Sequence, residues 1–183
     1  MQWREFLKDS TNKNNLIKFM VTEWQLQENR NKLGGTIVYA TCMERCVQIK
    51  ADAVEDIEEL MCTQEEADTR LLLHAAHIAQ FQYEYIIVHS EDTDVRLLCI
   101  AFASQIAVPM YQKCKSSTRT TYIDITSASL IQGESVSKAL PGYHAYTGCD
   151  SVSCFAGRGK LSGLKLLKCN EAYQSLFTKL GQD

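Results

Sequence analysis

The sequence predicts an α/β fold with a central, mostly parallel sheet flanked by helices and a C-terminal helical hairpin. Residues 85–88 are a short aromatic and β-branched run without alternation, which is typical of a parallel strand covered on both faces. Helical patterns precede this run at residues 67–79 and follow it at residues 95–103, and such alternation of helix and strand indicates an α/β unit. We therefore expect residues 85–88 to form a central strand.

Length and composition favour one ordinary globular domain over residues 1–183. The chain has 45% hydrophobic residues and a net charge of −3, which excludes a strongly basic nucleic-acid-binding protein. It has no apolar run near the roughly 18 residues of a membrane helix and no signal-peptide pattern. These features predict an intracellular protein, nuclear or cytoplasmic, without a membrane partner. Several of the eight cysteines lie in apolar runs, which favours reduced thiols over disulfides.

Charge is distributed unevenly along this chain. Residues 51–69 contain eight acidic residues and no lysine or arginine, whereas residues 156–183 contain five basic residues and two acidic ones. The chain therefore combines an acidic centre with a basic end.

The first segment, residues 1–60, is predicted to be a helix followed by a hairpin. Asp9 and the two residues after it form a helix start signal, and apolar residues then recur at helical spacing to Leu26. Residues 36–40 and 46–49 read as paired strands. Residues 53–60 are expected to form a short acidic helix.

The second segment, residues 61–150, is predicted to carry the acidic core. Thr63 and Glu66 fit a capping box for a helix that is apolar nearly all round and is therefore expected to be buried. Two further strands are expected at residues 108–112 and 120–125. The expected helices after them are residues 127–131, 135–140 and 143–149, with a break at Pro141-Gly142. The last segment, residues 151–183, is predicted to be a glycine-containing helical hairpin.

Five acidic residues fall at the ends of these predicted buried elements. They are Glu66, Asp68, Asp92, Asp94 and Asp150. Clustered carboxylates repel one another and raise one another's pKa unless cations compensate. Hard divalent cations prefer such oxygen ligands, and Mg²⁺ or Mn²⁺ held by carboxylates serves phosphate chemistry. The pattern therefore indicates a metal site at the carboxyl end of the strand at residues 85–88.

Four motifs occur in an order that resembles a known group of nucleases. They are Glu66-Ala67-Asp68, Ser90-Glu91-Asp92-Thr93-Asp94, Gly148-Cys149-Asp150 and Gly157-Arg158-Gly159-Lys160. In this order and at these separations, they resemble the flap endonuclease and 5′-exonuclease group of PIN-like nucleases. The same blocks are similar to uncharacterised animal proteins associated with mobile elements. The resemblance covers roughly residues 60 to 170.

The resemblance implies divalent-metal-dependent hydrolysis of phosphodiester bonds in DNA or RNA. It implies two Mg²⁺ or Mn²⁺ ions, with Glu66, Asp68, Asp92, Asp94 and Asp150 as ligands. Among these residues, Asp68, Asp92, Asp94 and Asp150 are the catalytic candidates. Gly157, Arg158, Gly159 and Lys160 are the implied contacts to the nucleic-acid backbone.

The chain departs from the family pattern at its beginning. The family starts with a strand that ends in an aspartate, whereas the strand at residues 36–40 is followed by Thr41 and Cys42. The proline usual in the family's glycine hairpin is also missing, because Lys160 directly follows Gly159. These departures predict either amino-terminal truncation of a longer domain, which we favour, or a decayed site.

Three alternatives remain open from the residues alone. The first is a nuclease-like module without turnover that binds nucleic acid or protein. The second is a zinc protein that uses His74, His77, Cys42 and Cys46, although their spacing matches no common structural zinc pattern. The third is a cysteine hydrolase that uses Cys149 and His144, which needs a geometry that nearness in sequence does not provide.

Overall fold

The computed structural model describes residues 3–63, 67–116, 118–148 and 160–181. The chain divides into two compact units, Met1–Glu66 and Ala67–Asp183, and each has a hydrophobic core of its own.

The first unit begins with three helices, α1 (Trp3–Phe6), α2 (Ser10–Gln25) and α3 (Gln27–Arg30). The predicted start of α2 is confirmed, because Oδ1 of Asp9 accepts hydrogen bonds from the backbone N–H groups of Thr11 at 2.7 Å and Asn12 at 3.2 Å. These bonds satisfy two N–H groups that have no acceptor within the helix.

A three-stranded antiparallel sheet follows, formed by β1 (Val38–Cys42), β2 (Arg45–Ile49) and β3 (Val54–Asp56). The predicted hairpin is confirmed by the pairing of β1 with β2. The predicted acidic helix at residues 53–60 is wrong, because β3 pairs with β2 and a single 3-10 turn follows at Glu58–Leu60. Arg45 bonds Asp56 across these strands at 2.8 Å. Cross-strand pairing therefore overrides the local helical pattern.

The second unit contains six helices and three strands among its described residues. In chain order these are α4 (Ala67–Ile78), β4 (Ile86–His89), α5 (Thr93–Phe102), β5 (Met110–Lys115), β6 (Thr120–Asp124), α6 (Ile125–Gln132), α7 (Glu134–Thr147), α8 (Lys160–Cys169) and α9 (Glu171–Leu180). The strand order is β4-β5-β6, with β4 parallel to β5 and β5 antiparallel to β6. The unit is therefore α/β, as predicted.

The expected central, mostly parallel sheet is wrong for the described part of the chain. The connection from β5 to β6 spans residues 116–119, which is too short for the crossover that a parallel pair requires, so β6 returns as a hairpin. β4 then lies at one edge of this sheet, and Val88 is 5% exposed while Ile87 is 45% exposed. The strand at residues 85–88 is thus covered on one face and not on both.

Two helix predictions also need correction. α4 is half-buried along most of its described side chains and not buried all round. α7 continues through Pro141, where a break was predicted. Proline removes one backbone donor from a helix, but the residues on both sides of Pro141 are buried in the core, and that burial stabilises the continuous helix.

The core of the second unit lies between the sheet and helices α5 and α7. Its fully buried members include Cys99, Met110, Ile125 and Ala139. α7 also packs against α9, and the Tyr143 and Phe177 rings meet edge to face with centroids 5.4 Å apart. Every helix among the described residues is too short or too polar to cross a membrane.

Candidate metal and nucleic-acid site

Residues 90–94, named the acid loop here, run from the carboxyl end of β4 into the first turn of α5. Asp92 is the N-cap of α5, and its Oδ1 accepts a hydrogen bond from the backbone N–H of Asp94 at 2.8 Å. Oγ of Ser90 accepts another from the N–H of Asp92 at 3.1 Å. Asp92 is exposed, and Asp94 is half-buried. The two carboxylates therefore lie at the carboxyl edge of a parallel strand pair, where open α/β sheets bind ligands.

His144, on α7, joins the acid loop to the start of α8. Its Nε2 lies 2.8 Å from Oδ1 of Asp94, and its Nδ1 lies 3.5 Å from Nζ of Lys160. A neutral imidazole with its proton on Nε2 satisfies both contacts, because Nε2 then donates to the carboxylate and Nδ1 accepts from the ammonium group. The side chains of His144 and Asp94 are 17% and 34% exposed, so the pair is partly shielded from water.

α8 is anchored beside this pair by its neighbour on α7. The hydroxyl of Tyr143 donates a hydrogen bond to the backbone carbonyl of Lys160. A side chain on Gly163 would overlap that hydroxyl, so glycine permits the close approach of α8 to Tyr143. The Tyr143 hydroxyl is protonated and able to donate at neutral pH, and burial raises its pKa further.

Asp68 lies in the first turn of α4. α4 leads into β4 through residues 79–85 and packs against that strand. The structure therefore places Asp68 at the start of the helix that packs against β4. Glu66, Asp150, Gly157, Arg158 and Gly159 lie outside the described residues.

The described acidic residues offer the oxygen ligands that a hard divalent cation prefers, but they are fewer than the five predicted ligands. Asp92 and Asp94 supply carboxylate oxygens, which Mg²⁺ and Mn²⁺ prefer. Across the part of the chain that the structure describes, no three His, Cys, Asp or Glu side chains are grouped closely enough to hold a metal ion. The four residues considered for zinc, which are all described, therefore do not form a metal-binding group. Of the other three predicted ligands, Asp68 is described, and Glu66 and Asp150 lie outside the described residues.

The pKa shifts of two candidates for zinc have opposite consequences for metal binding, because cysteine binds metal as the thiolate and histidine as the neutral imidazole. Burial raises the pKa of the Cys46 thiol, which disfavours the thiolate that binds metal. Burial, followed by the nearby His77 and Arg70, lowers the pKa of His74 and favours its neutral form. For the alternative of a cysteine hydrolase, Cys149 lies outside the described residues, and His144 contacts Asp94.

Sequence reasoning missed three residues that support the acid loop. His144 was considered only as a partner for Cys149, and Arg96 and Gln112 were not considered. Gln112 could have been identified from the sequence. It lies two residues after the apolar Met110 and therefore on the same face of the predicted strand. A polar residue on the apolar face of a strand predicts a buried hydrogen-bonding role.

Comparison with known proteins finds no matching family model, no similar curated protein and no similar solved structure.

Proposed function

We propose that the second unit is a PIN-like nuclease domain of the flap endonuclease type, which uses Mg²⁺ or Mn²⁺ to hydrolyse phosphodiester bonds in DNA or RNA. The observation that carries the proposal is the position of His144. It contacts Asp94, a candidate metal ligand, and Lys160, a candidate phosphate contact, through opposite nitrogens of one ring. These two residues are 66 positions apart in the sequence. A nuclease needs cation ligands next to phosphate contacts. The contacts of His144 support the proposal because they join one candidate of each kind.

Each residue then has a separate role. Asp92 and Asp94 bind the cations together with Asp68, Glu66 and Asp150. His144 orients the Asp94 carboxylate, as hydrogen-bonded neighbours of metal ligands do. Lys160 attracts the phosphate, with Gly157, Arg158 and Gly159 completing the backbone contact. When bound, the cation supplies Lewis-acid stabilisation of the phosphate oxygens.

Manganese binding and cleavage test this proposal together. Calorimetric titration of the full chain should detect Mn²⁺ binding, and Asp92→Asn should abolish it because a charged ligand is lost. Labelled single-stranded and flapped DNA and RNA would then be incubated with Mn²⁺, with Asp92→Asn as the inactive control. The absence of Mn²⁺ binding by the unmutated chain would refute the metal site.

Lys160 provides a second test because it lies close to His144. Lys160→Met should weaken binding to labelled duplex and flatten its salt dependence, since fewer counterions are released. It should also modestly tighten Mn²⁺ binding, because a positive charge near the acids is removed. Lys165→Met on the same helix is the matched control, since Lys165 is also exposed. Equal duplex affinity and salt slope for the two variants would exclude Lys160 as a phosphate contact.

A nucleic-acid-binding module without turnover is the second candidate function. It is favoured by the contact between Asp94 and His144 and by the small number of acids grouped within the described residues. Such a module would bind duplex through Lys160 and show no Mn²⁺-dependent cleavage. Cleavage that is lost in Asp92→Asn would exclude it.

A further inference from the structure

Gln112 is a fully buried polar residue whose side chain contacts the acid loop. It lies on β5 opposite Val88 of β4, and it is 0% exposed. Its Nε2 donates to the backbone carbonyls of Ser90 at 2.9 Å and Asp92 at 3.1 Å. Its Oε1 accepts from Nε of Arg96 at 2.7 Å. Both hydrogens of the amide and its oxygen are therefore used, as burial of a polar group requires.

These bonds fix both sides of the turn that carries Asp92. The two carbonyls that accept hydrogen bonds from Gln112 belong to residues 90 and 92, so the backbone on either side of Glu91 is tied to β5. Asp92 is then held where its own side chain caps α5. Because α5 begins at this point, the position of Asp94 in its first turn follows from the same constraint.

Arg96 and Cys114 extend this network. Nη2 of Arg96 lies 3.5 Å from Sγ of Cys114, and the Cys114 thiol donates to the Ser90 carbonyl at 3.4 Å. The Ser90 carbonyl thus accepts from two side chains of β5. A network with every member bonded is rigid, whereas the loss of one member leaves buried polar atoms unpaired.

Strand pairing does not explain why a glutamine occupies this position. The backbone groups of β4 and β5 pair along four residues without using the Gln112 side chain. An apolar residue of similar size would fill the same space without an amide that needs partners. The side chain of Gln112 thus serves the acid loop and not the sheet.

We infer that Gln112 is a positioning residue that holds the acid loop so that Asp92 and Asp94 face a common cation. The loop-holding role stands on the hydrogen bonds alone, and the cation role rests on the proposed function.

Two variants and one control test this inference in the full chain. Gln112→Met keeps the side-chain volume and removes all three bonds. Gln112→Glu keeps the acceptor for Arg96 and removes both donors to the loop. It replaces Gln112→Met as the test variant if the methionine variant fails to fold. Gln48→Met is the matched control, because Gln48 is buried at 7% exposure and bonds the Tyr39 hydroxyl within the first unit.

Amide hydrogen exchange without metal reports the loop directly. We expect exchange at the Asp92 and Asp94 amides to be at least about tenfold faster in both Gln112 variants, because the hydrogen bonds from Gln112 to the Ser90 and Asp92 carbonyls are lost. Exchange at Ile100, in the last turn of α5, should stay unchanged, as should exchange at the loop amides of Gln48→Met. Unchanged exchange at Asp92 and Asp94 in the Gln112 variants would overturn the inference.

Calorimetric Mn²⁺ titration separates this inference from the proposed function. A weakening of about 10- to 100-fold in the Gln112 variants, with Gln48→Met unchanged, supports the positioning of metal ligands. Equal Mn²⁺ affinity in all proteins would overturn the cation role of Gln112 while the metal site stands. Faster loop exchange together with no Mn²⁺ binding by the unmutated chain would retain Gln112 as a loop anchor and refute the proposed metal site.

Discussion

Two interactions of the Asp94 carboxylate have opposite effects on the stability of the protein. Its neighbour Asp92 repels it, and this repulsion alone would make removal of the Asp94 charge stabilising. His144 lies 2.8 Å away and gains from the negative charge, because hydrogen bonds to ionised acceptors are stronger than neutral ones. Oδ1 of Asp92 is turned to the Asp94 backbone N–H, so part of its charge is already compensated by a helix terminus.

We therefore expect Asp94→Asn to destabilise the metal-free protein by on the order of 1 kcal/mol, since an amide oxygen is a weaker acceptor for His144. Thermal denaturation in the presence of a chelator measures this change. Glu91→Gln, in the same loop and exposed, is the control for a general loss of one negative charge. A higher melting temperature for Asp94→Asn than for the unmutated protein would contradict the prediction.

Cysteine reactivity gives a second prediction for single residues. Burial raises the pKa of the Cys99 thiol to about 11, whereas Cys169 is exposed. The thiolate is the reactive form, so Cys99 stays protonated at pH 8 and its reactivity rises only as the pH approaches its pKa. We expect iodoacetamide to modify Cys169 rapidly and Cys99 only after unfolding, as measured by peptide mass spectrometry. Equal labelling rates in the folded protein would contradict this.

At the scale of elements, the pairing of α7 with α9 determines where His144 lies. The two helices approach closely at Gly142 and Gly181, and a Cβ on Gly142 would lie 2.9 Å from the Gly181 nitrogen and overlap the Phe177 carbonyl oxygen. Tyr143 and Tyr146 pack against Phe177 on either side of His144. The glycines and aromatic residues thus fix the face of α7 that points toward the acid loop.

Gly142→Ala should lower the free energy of unfolding by about 1 to 3 kcal/mol, because the methyl group forces α7 and α9 apart. This loss exceeds the modest gain in helix propensity from alanine. Urea denaturation measures the change. Gly35→Ala is the matched control, since a Cβ there meets no atom within 4 Å. Equal effects of the two substitutions would show that the helices tolerate the added methyl group.

At the scale of the whole molecule, the described residues form two hydrophobic cores, one in each unit. The core of the first unit includes Ile49, and that of the second includes Met110, both 0% exposed. The described candidate ligands for Mg²⁺ or Mn²⁺ and the candidate phosphate contact Lys160 belong to the second unit. The first unit has a groove of its own of about 550 Å³ between α2 and the β1–β2 hairpin.

Core substitutions should act within their own unit. Ile49→Ala and Met110→Ala should each cost about 2 to 5 kcal/mol, because each removes a large, fully buried side chain. Hydrogen exchange should lose protection in the first unit for Ile49→Ala and in the second for Met110→Ala. Loss of protection across both units after either substitution would show that they unfold together.

The local sequence pattern was sufficient to predict the elements that depend on residues close together in the chain. The Asp9 cap, the β1–β2 hairpin, α5 and the strands β5 and β6 follow from capping residues, alternation and polar turns within a few positions. The acid loop follows in the same way, because acids directly after a strand must lie at its carboxyl end. These features depend on neighbouring residues, so the sequence alone determined them.

Tertiary structure decided what depends on distant residues. A run of apolar residues does not show whether one or both faces of β4 are covered, since that depends on which strands pair beside it. Pro141 predicts a helix break, and its tolerance in α7 depends on core packing. The contacts of His144 with Asp94 and Lys160, and of Gln112 with the acid loop, join residues 16 to 50 positions apart. Long-range pairing, not local propensity, therefore placed the residues that surround the candidate site.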